Sequence, residues 1–175
     1  DKTETPMGAR LLRRFLEKPL TSVEDINKRL ESVRVLSQHM LEMGEISSCL
    51  KFVKDTERLI SKVVYDTITP RDIRSLVASL EVLPAIKQFL SSIKEKSSLL
   101  SVIYNEIGDH RELTELLDSA IMPDPPVITR EGNFIRKGYN ERVDELRTLR
   151  DNSAAVLAKM EVEEREKTGI KNLRF

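Results

Sequence analysis

The sequence of 175 residues contains no tryptophan, one cysteine and six glycines, and its formal net charge is zero. The single thiol, Cys49, excludes a disulfide framework and a cysteine metal cluster, and it fits a reducing compartment. Zero net charge gives no global attraction to nucleic acid or to an anionic membrane, so such binding needs a local patch. No apolar run approaches the roughly 18 residues of a membrane span. We therefore expect a cytoplasmic protein with no membrane partner.

The sequence features of an enzyme are also missing. No glycine opens a strand-to-helix turn followed by Lys-Ser or Lys-Thr, as a phosphate-binding loop requires. His39 and His110 have no second histidine or carboxylate at metal-ligand spacing. No serine lies in a nucleophile-elbow context. We therefore predict that this chain is not an enzyme, with no catalytic, cofactor-binding or metal-binding residue.

What is present is typical of a helical protein. Charged residues make up 33% of the chain and hydrophobic residues 39%, which suits amphipathic helices that share one core. Capping residues recur before apolar stripes of helical period, at Thr5-Pro6, Ser22 or Thr21, Asp55 and Thr69-Pro70. The fold class that follows is all-α, a multi-helix bundle.

Two of these helices carry a notable face. The second has a heptad-like seam and is expected to end at Gly44; its seam residues are Ile26, Leu30, Val33, Ser37 and Met40. The first carries a basic face made of Arg10, Arg13, Arg14 and Lys18. No aromatic residue is interleaved on that face, so it is more typical of a solvated surface than of a nucleic-acid site.

Residues 139–168 are expected to form one long helix, about 45 Å in length. Asn140 is its predicted N-cap, and Gly169 its stop. Small and apolar residues recur at mostly three-then-four spacing and predict a seam that packs against other helices. The seam residues that we expect to anchor the helix are Val143, Leu146, Leu149, Val156 and Met160.

Beyond Met160 the seam ends, and the helix is expected to project into water. Two i,i+4 pairs, Glu161 with Arg165 and Glu163 with Lys167, would keep it helical. Residues 170–175 alternate apolar and polar side chains, as the first strand of a sheet does. An isolated strand has no ladder partner. We therefore assign 1–169 to a helical domain and 170–175 to the beginning of another domain.

Between the bundle and the long helix lies a segment of different character. After Pro123-Asp124-Pro125-Pro126 stops a helix, residues 127–136 read as two short extended pieces about a turn at 131–133. The prediction is a small hairpin-like hook rather than a sheet.

Three blocks of contiguous sequence, spread over almost the whole chain, carry a resemblance to a known family. The first is TPMGARLLRRFL at 5–16, and the second is DTERL at 55–59 followed by TPRD at 69–72. The third is REGNFIRKGYN at 130–140, followed by DELR at 144–147 and EREKTGIK at 164–171. Together, and in this order, the three blocks resemble the MutS family of DNA mismatch-repair proteins.

The resemblance implies the helical core, or lever, domain of such a protein, between a DNA-gripping clamp and an ATPase. Proteins of this family bind mismatched double-stranded DNA as homodimers and couple that binding to ATP and Mg²⁺ in another domain. Nothing here matches the mismatch-reading segment, the nucleotide-binding loop or most of the clamp. The resemblance therefore implies contacts with other MutS domains and a transmission role, and it transfers no catalytic residue.

Two alternatives from other classes remain. The seams suit a helical protein-interaction or self-assembly module without a DNA role. Direct DNA binding is the other, either by the basic face of the first helix or through weak contacts from Arg136, Lys137 and Arg142; it predicts strongly salt-dependent affinity.

Overall fold

The computed structural model describes residues 2–170, apart from the side chains of Glu131 and Ala154. The chain divides into two compact units, Asp1–Phe134 and Ile135–Phe175. Over the described residues, the regular secondary structure is helical, without a β-strand. The prediction of an all-α fold is confirmed.

The first unit contains eight α-helices within its described residues. It also contains two single 3-10 turns, Lys94–Lys96 and Thr129–Glu131. The helices are α1 (Pro6–Glu17), α2 (Val23–Gln38), α3 (Met40–Leu50), α4 (Thr56–Val64), α5 (Pro70–Glu81), α6 (Leu83–Ser91), α7 (Ser98–Glu106) and α8 (Arg111–Ala120).

The predicted helix starts are confirmed by hydrogen bonds of the capping side chains. The Thr5 hydroxyl accepts from the Gly8 amide at 3.0 Å, and Ser22 caps α2. Thr69 and Asp72 form a reciprocal capping box at the start of α5. Each cap satisfies amide groups that the first helical turn leaves without a backbone partner.

The core of the first unit lies where α2, α6 and α7 meet. Its buried members are Val35, Ile86, Leu90, Ile93 and Leu100, and Ile93 has no exposed surface. Cys49 packs against this cluster from α3, as a small apolar side chain does.

The face of α2 that contacts this core differs from the predicted seam. Ser32 and Val35 are buried, whereas Leu30 and Val33 are 60% and 63% exposed. Three-then-four spacing indicates that a helix is amphipathic. Because α2 carries apolar side chains on two faces, the spacing does not tell which of the two faces is buried. The buried face is the one with the small Ser32, whose hydroxyl lies 2.8 Å from that of Ser97. The remaining seam residues Ile26, Ser37 and Met40 are exposed as well.

The expected helix end at Gly44 is also wrong. Gly44 lies inside α3, and the chain turns at His39, where φ is −120° and ψ is 63°. The His39 ring lies back over the end of α2, with Nδ1 2.7 Å from the Val35 carbonyl oxygen. A side chain that contacts the last carbonyls competes with continuation of the helix.

The predicted hook at residues 127–136 is not a pair of extended pieces. Residues Thr129–Glu131 form a 3-10 turn, and Gly132 and Asn133 follow with φ of 68° and 58°. The Met122 amide donates to the Phe134 carbonyl at 3.0 Å, so the two ends of this loop meet. The turn lies where the sequence placed it. The extended arms are absent because the residues before Gly132 coil into the turn instead of pairing across it.

The second unit contains two helices over its described residues, α9 (Glu141–Asp151) and α10 (Ser153–Thr168). The prediction of one continuous helix is therefore wrong at a single residue, Asn152, which adopts φ of −102° and ψ of 15°. The predicted helix end is confirmed. Gly169 has a left-handed backbone with φ of 71°, and its amide donates to the Arg165 carbonyl oxygen at 2.9 Å. The predicted strand at 170–175 falls almost entirely on 171–175, outside the described residues, and the domain boundary at 169 stays a prediction.

Candidate functional site

A network of polar contacts joins the first two turns of α9 to residues 135–140, which precede it. We call this region the root of α9. Asn140 caps the helix as predicted, because its side-chain oxygen accepts from the Val143 amide at 3.1 Å. Glu141 and Asp144 lie in the first turn, near the positive end of the helix dipole. Local sequence alone accounts for this helix start.

Asp144 connects this root to the segment that precedes it. Its Oδ2 accepts from the Gly138 amide at 2.6 Å, and its Oδ1 lies 3.4 Å from Nη1 of Arg147. The other Arg147 nitrogen, Nη2, donates to the Ile135 carbonyl at 2.8 Å. Both charged side chains are about one-fifth exposed. Residues 135–138 are thus fastened to the first two turns of α9.

Gly138 permits this arrangement through its backbone. Its φ of 88° lies in the left-handed region, where a side chain is disfavoured. This conformation occurs where the chain turns between Ile135 and the Asn140 cap. The sequence pattern did not reveal the network around Asp144, although a Gly followed six residues later by an Asp is its local signature here.

The residues predicted to contact DNA are found around the same root. Arg136 is partly buried, Lys137 is exposed, and Arg142 is exposed with its Nη1 2.8 Å from Glu145. The ion pair with Glu145 compensates the charge of Arg142, and this weakens the local basic patch. Their role in DNA binding stays a prediction.

The predicted anchor seam is largely accessible within this chain. Val143 is partly buried, while Leu146 and Leu149 are each 51% exposed. Val156 and Met160 in α10 are 36% and 47% exposed. The prediction that these five side chains anchor the helix against other helices therefore stays a prediction.

Backbone hydrogen bonds reach Asn152 from the helix on each side of it. The Asn152 amide donates to the Thr148 carbonyl at 3.0 Å, and the Val156 amide donates to the Asn152 carbonyl at 2.9 Å. The Asn152 side chain, however, makes no capping hydrogen bond to α10. Asn152 is therefore the residue at which the hydrogen bonding of α9 ends and that of α10 begins.

The charged end of α10 is laced by ion pairs, as the sequence suggested, with one change of partners. Arg165 Nη2 lies 3.0 Å from Glu161, the predicted pair. Lys167 bonds Glu164 at 2.8 Å instead of Glu163, and the hydrogen bond to Glu164 raises the pKa of Lys167. The predicted pair of Glu163 with Lys167 is therefore wrong, because three- and four-residue spacings both bring side chains together on a helix and spacing alone does not decide between them.

In the first unit, the basic face of α1 contains a link that sequence reasoning missed. Arg10 bonds Asp55 through Nη1 and Nη2, at 2.8 Å and 2.7 Å, and bonds Glu57 through Nε at 3.0 Å. The Arg10 hydrogen bond lowers the pKa of the Asp55 carboxyl to about 2. Arg10 is therefore paired with two carboxylates and not purely solvated, while DNA binding by this face of α1 stays a prediction. No local spacing signals a contact between residues so far apart.

The described residues contain no group of three or more His, Cys, Asp or Glu side chains arranged to hold a metal ion. His39 instead contacts Lys96, with the Lys96 Nζ 2.5 Å from Nε2 of the ring, and His110 precedes α8. None of the described helices is both long and apolar enough to cross a membrane.

The helical bundle of the first unit and the two helices of the second define the chain as an all-helical protein over its described residues. Comparison with known families places it further: the family described as MutS domain III matches residues 1–174. The chain belongs to the MutS domain III family.

Several curated relatives carry the same name, DNA mismatch repair protein MutS. The protein of Caldanaerobacter subterraneus subsp. tengcongensis is 46% identical, covering 100% of this chain and 20% of the relative. That of Caldicellulosiruptor bescii is 44% identical with the same coverage. That of Methanosarcina barkeri is 40% identical over 98% of this chain and 19% of the relative. The chain thus spans about a fifth of the length of these relatives.

Proposed function

We propose that this chain is the core, or lever, domain of a DNA mismatch repair protein and transmits conformational change between a DNA clamp and an ATPase. The observation that supports this is the match to MutS domain III over residues 1–174. The root of α9 suits the role: Asp144 and Arg147 fasten the helix to residues 135–138. A displacement of that root is carried along the helix axis.

The partners follow from the same proposal. The complete protein would bind mismatched double-stranded DNA through its clamp and mismatch-reading domains, act as a homodimer in the cytoplasm, and bind ATP and Mg²⁺ in its ATPase domain. This chain would contact those domains and would itself neither hold the nucleotide nor hydrolyse it. Its contribution is mechanical, with a coupling free energy of order 1–3 kcal/mol between the two sites.

The test is a break in the helix within a complete MutS protein that carries this domain. Val156→Pro removes a backbone donor and kinks the helix, at a local cost of about 3 kcal/mol. Val156→Ala is the matched control, because it removes the seam side chain and keeps the helix. We expect mismatched DNA to stimulate nucleotide turnover less in the proline variant than in the alanine variant. Equal stimulation in both variants argues against the lever.

The self-assembly alternative is favoured by one observation, the exposure of the seam. Leu146, Leu149 and Met160 are about half exposed in this chain, and exposed apolar stripes on helices promote association. Sedimentation at several concentrations separates the readings. A monomer at all concentrations counts against assembly, whereas association that Leu149→Lys abolishes supports it.

Direct DNA binding has its own signature. If Arg136, Lys137 and Arg142 touch phosphates, affinity for duplex DNA falls steeply as salt rises, and the slope becomes smaller in Lys137→Gln. We expect the chain alone to bind DNA weakly and without preference for a mismatch. Affinity that does not depend on salt contradicts these phosphate contacts.

A further inference from the structure

We propose that Asn152 is a hinge that divides the lever into two rods, α9 (Glu141–Asp151) and α10 (Ser153–Thr168). Bending at this residue, and not flexing within either rod, then sets where the end of α10 lies relative to the root of α9. The inference rests on the proposed lever function and refines its mechanics.

The backbone at Asn152 supports a hinge. The φ of −102° and ψ of 15° at Asn152 differ from the backbone angles of an α-helix. The flanking hydrogen bonds, to Thr148 and from Val156, are kept at 3.0 Å and 2.9 Å. A joint of this kind changes direction through one residue without unfolding either helix.

The local sequence favours bending at the same place. Asp151, Asn152 and Ser153 are three consecutive residues of low helix propensity, because their short polar side chains compete for backbone hydrogen bonds. The Asn152 side chain makes no capping bond that would fix the start of α10. The start of α9, in contrast, is fixed by Asn140.

The ion pairs stiffen the rods on either side of this joint. In α9 they join Asp144 with Arg147 and Arg142 with Glu145. In α10 they include Glu161 with Arg165. Arg150 lies next to the joint, and its Nε bonds the adjacent Asp151 at 2.9 Å, a pair within α9.

The experiment measures the distance between two spin labels, one on each rod. Glu141→Cys and Glu166→Cys place them at exposed positions, and Cys49→Ala removes the native thiol. In an unbroken helix these positions lie about 38 Å apart. We expect the otherwise native chain to give a broad distribution with a shorter mean.

Three further variants locate the bend. Asn152→Ala should narrow the distribution and move its mean toward about 38 Å, whereas Asn152→Gly should broaden it. Thr148→Ala is the matched control: it raises helix propensity at an exposed position of α9 and should change nothing. Far-UV circular dichroism checks that each variant remains folded.

Each outcome decides the hinge. A narrow distribution at the straight-helix distance in the native sequence overturns it, and so does a broad one that Asn152→Ala and Thr148→Ala alter equally. A rigid helix in the distance measurement would contradict the hinge and not the lever proposal. Equal stimulation in the Val156→Pro and Val156→Ala variants would contradict the lever proposal and not the distance result. The two failures are therefore distinguishable.

Discussion

The Arg10 guanidinium grips both oxygens of the Asp55 carboxylate, with Nη1 2.8 Å from Oδ2 and Nη2 2.7 Å from Oδ1. The same carboxylate caps α4, since its Oδ1 accepts from the Arg58 amide at 3.3 Å. One side chain therefore both begins α4 and ties α1 to it. No residue of α1 is fully buried, and this polar link is one of the contacts that hold the helix, together with that of Met7 with Thr56.

Replacing Asp55 tests the two roles separately. Asp55→Ala removes the cap and the ion pair, and loss of an N-cap alone costs about 1 kcal/mol. Asp55→Asn keeps a good cap and loses only the charge, so its effect on the free energy of unfolding should be smaller. Urea midpoints of both variants, with Arg13→Gln as a control for a basic residue on α1, provide the measurement. Equal losses in the Ala and Asn variants would mean that the cap contributes nothing.

The same carboxylate makes stability depend on pH. The Arg10 hydrogen bond lowers the pKa of Asp55 from 3.8 in its ordinary state to about 2. A carboxyl group with a depressed pKa in the folded state stabilises the protein above its unfolded pKa, and this contribution is lost as pH falls through the interval between the two values. The urea concentration at the unfolding midpoint should therefore decrease as the pH is lowered from 3.8 to about 2.

Asp55→Asn isolates this contribution from that of the other carboxylates. In this variant the urea midpoint should depend less steeply on pH over the same interval, because the titrating group has been removed. Parallel pH profiles for the two proteins would show that Asp55 titrates normally in the folded state.

The network around Asp144 predicts a local effect at the root of α9. Asp144→Ala leaves the Gly138 amide and one Arg147 nitrogen without their acceptor, at a cost of about 1 kcal/mol. Amide hydrogen exchange should accelerate at Gly138 and in the first turn of α9, while α6 and α7 stay protected. Glu145→Ala, which removes only an exposed partner of Arg142, serves as the control. Unchanged exchange at Gly138 would show that the network does not hold the root.

The helix starts were predictable because a cap acts over three residues. Thr5, Thr69 and Asn140 each bond an amide within their own first turn, and no distant part of the chain is needed. The stop at Gly169 is equally local, since a left-handed residue at a helix end needs only the absence of a side chain. The family resemblance rests on the same kind of contiguous sequence.

The interruption of the helix at Asn152 was only partly predictable from the sequence. Its residues have low helix propensity, but the apolar spacing of Leu149, Val156 and Met160 continues across them and predicted one helix. Propensity differences of a few tenths of a kcal/mol per residue are too small to decide such a competition from sequence.

By itself, the sequence determined that the chain is helical, where five of the ten described α-helices begin, and to which family the chain belongs. The tertiary structure decided that Val35 and not Val33 enters the core, and that Arg10 binds a carboxylate 45 residues away. The reason is physical: capping and helical period depend on atoms a few residues apart. The choice of a buried face or of an ion partner depends on which distant surfaces meet, and a repeating pattern on one helix does not contain that information.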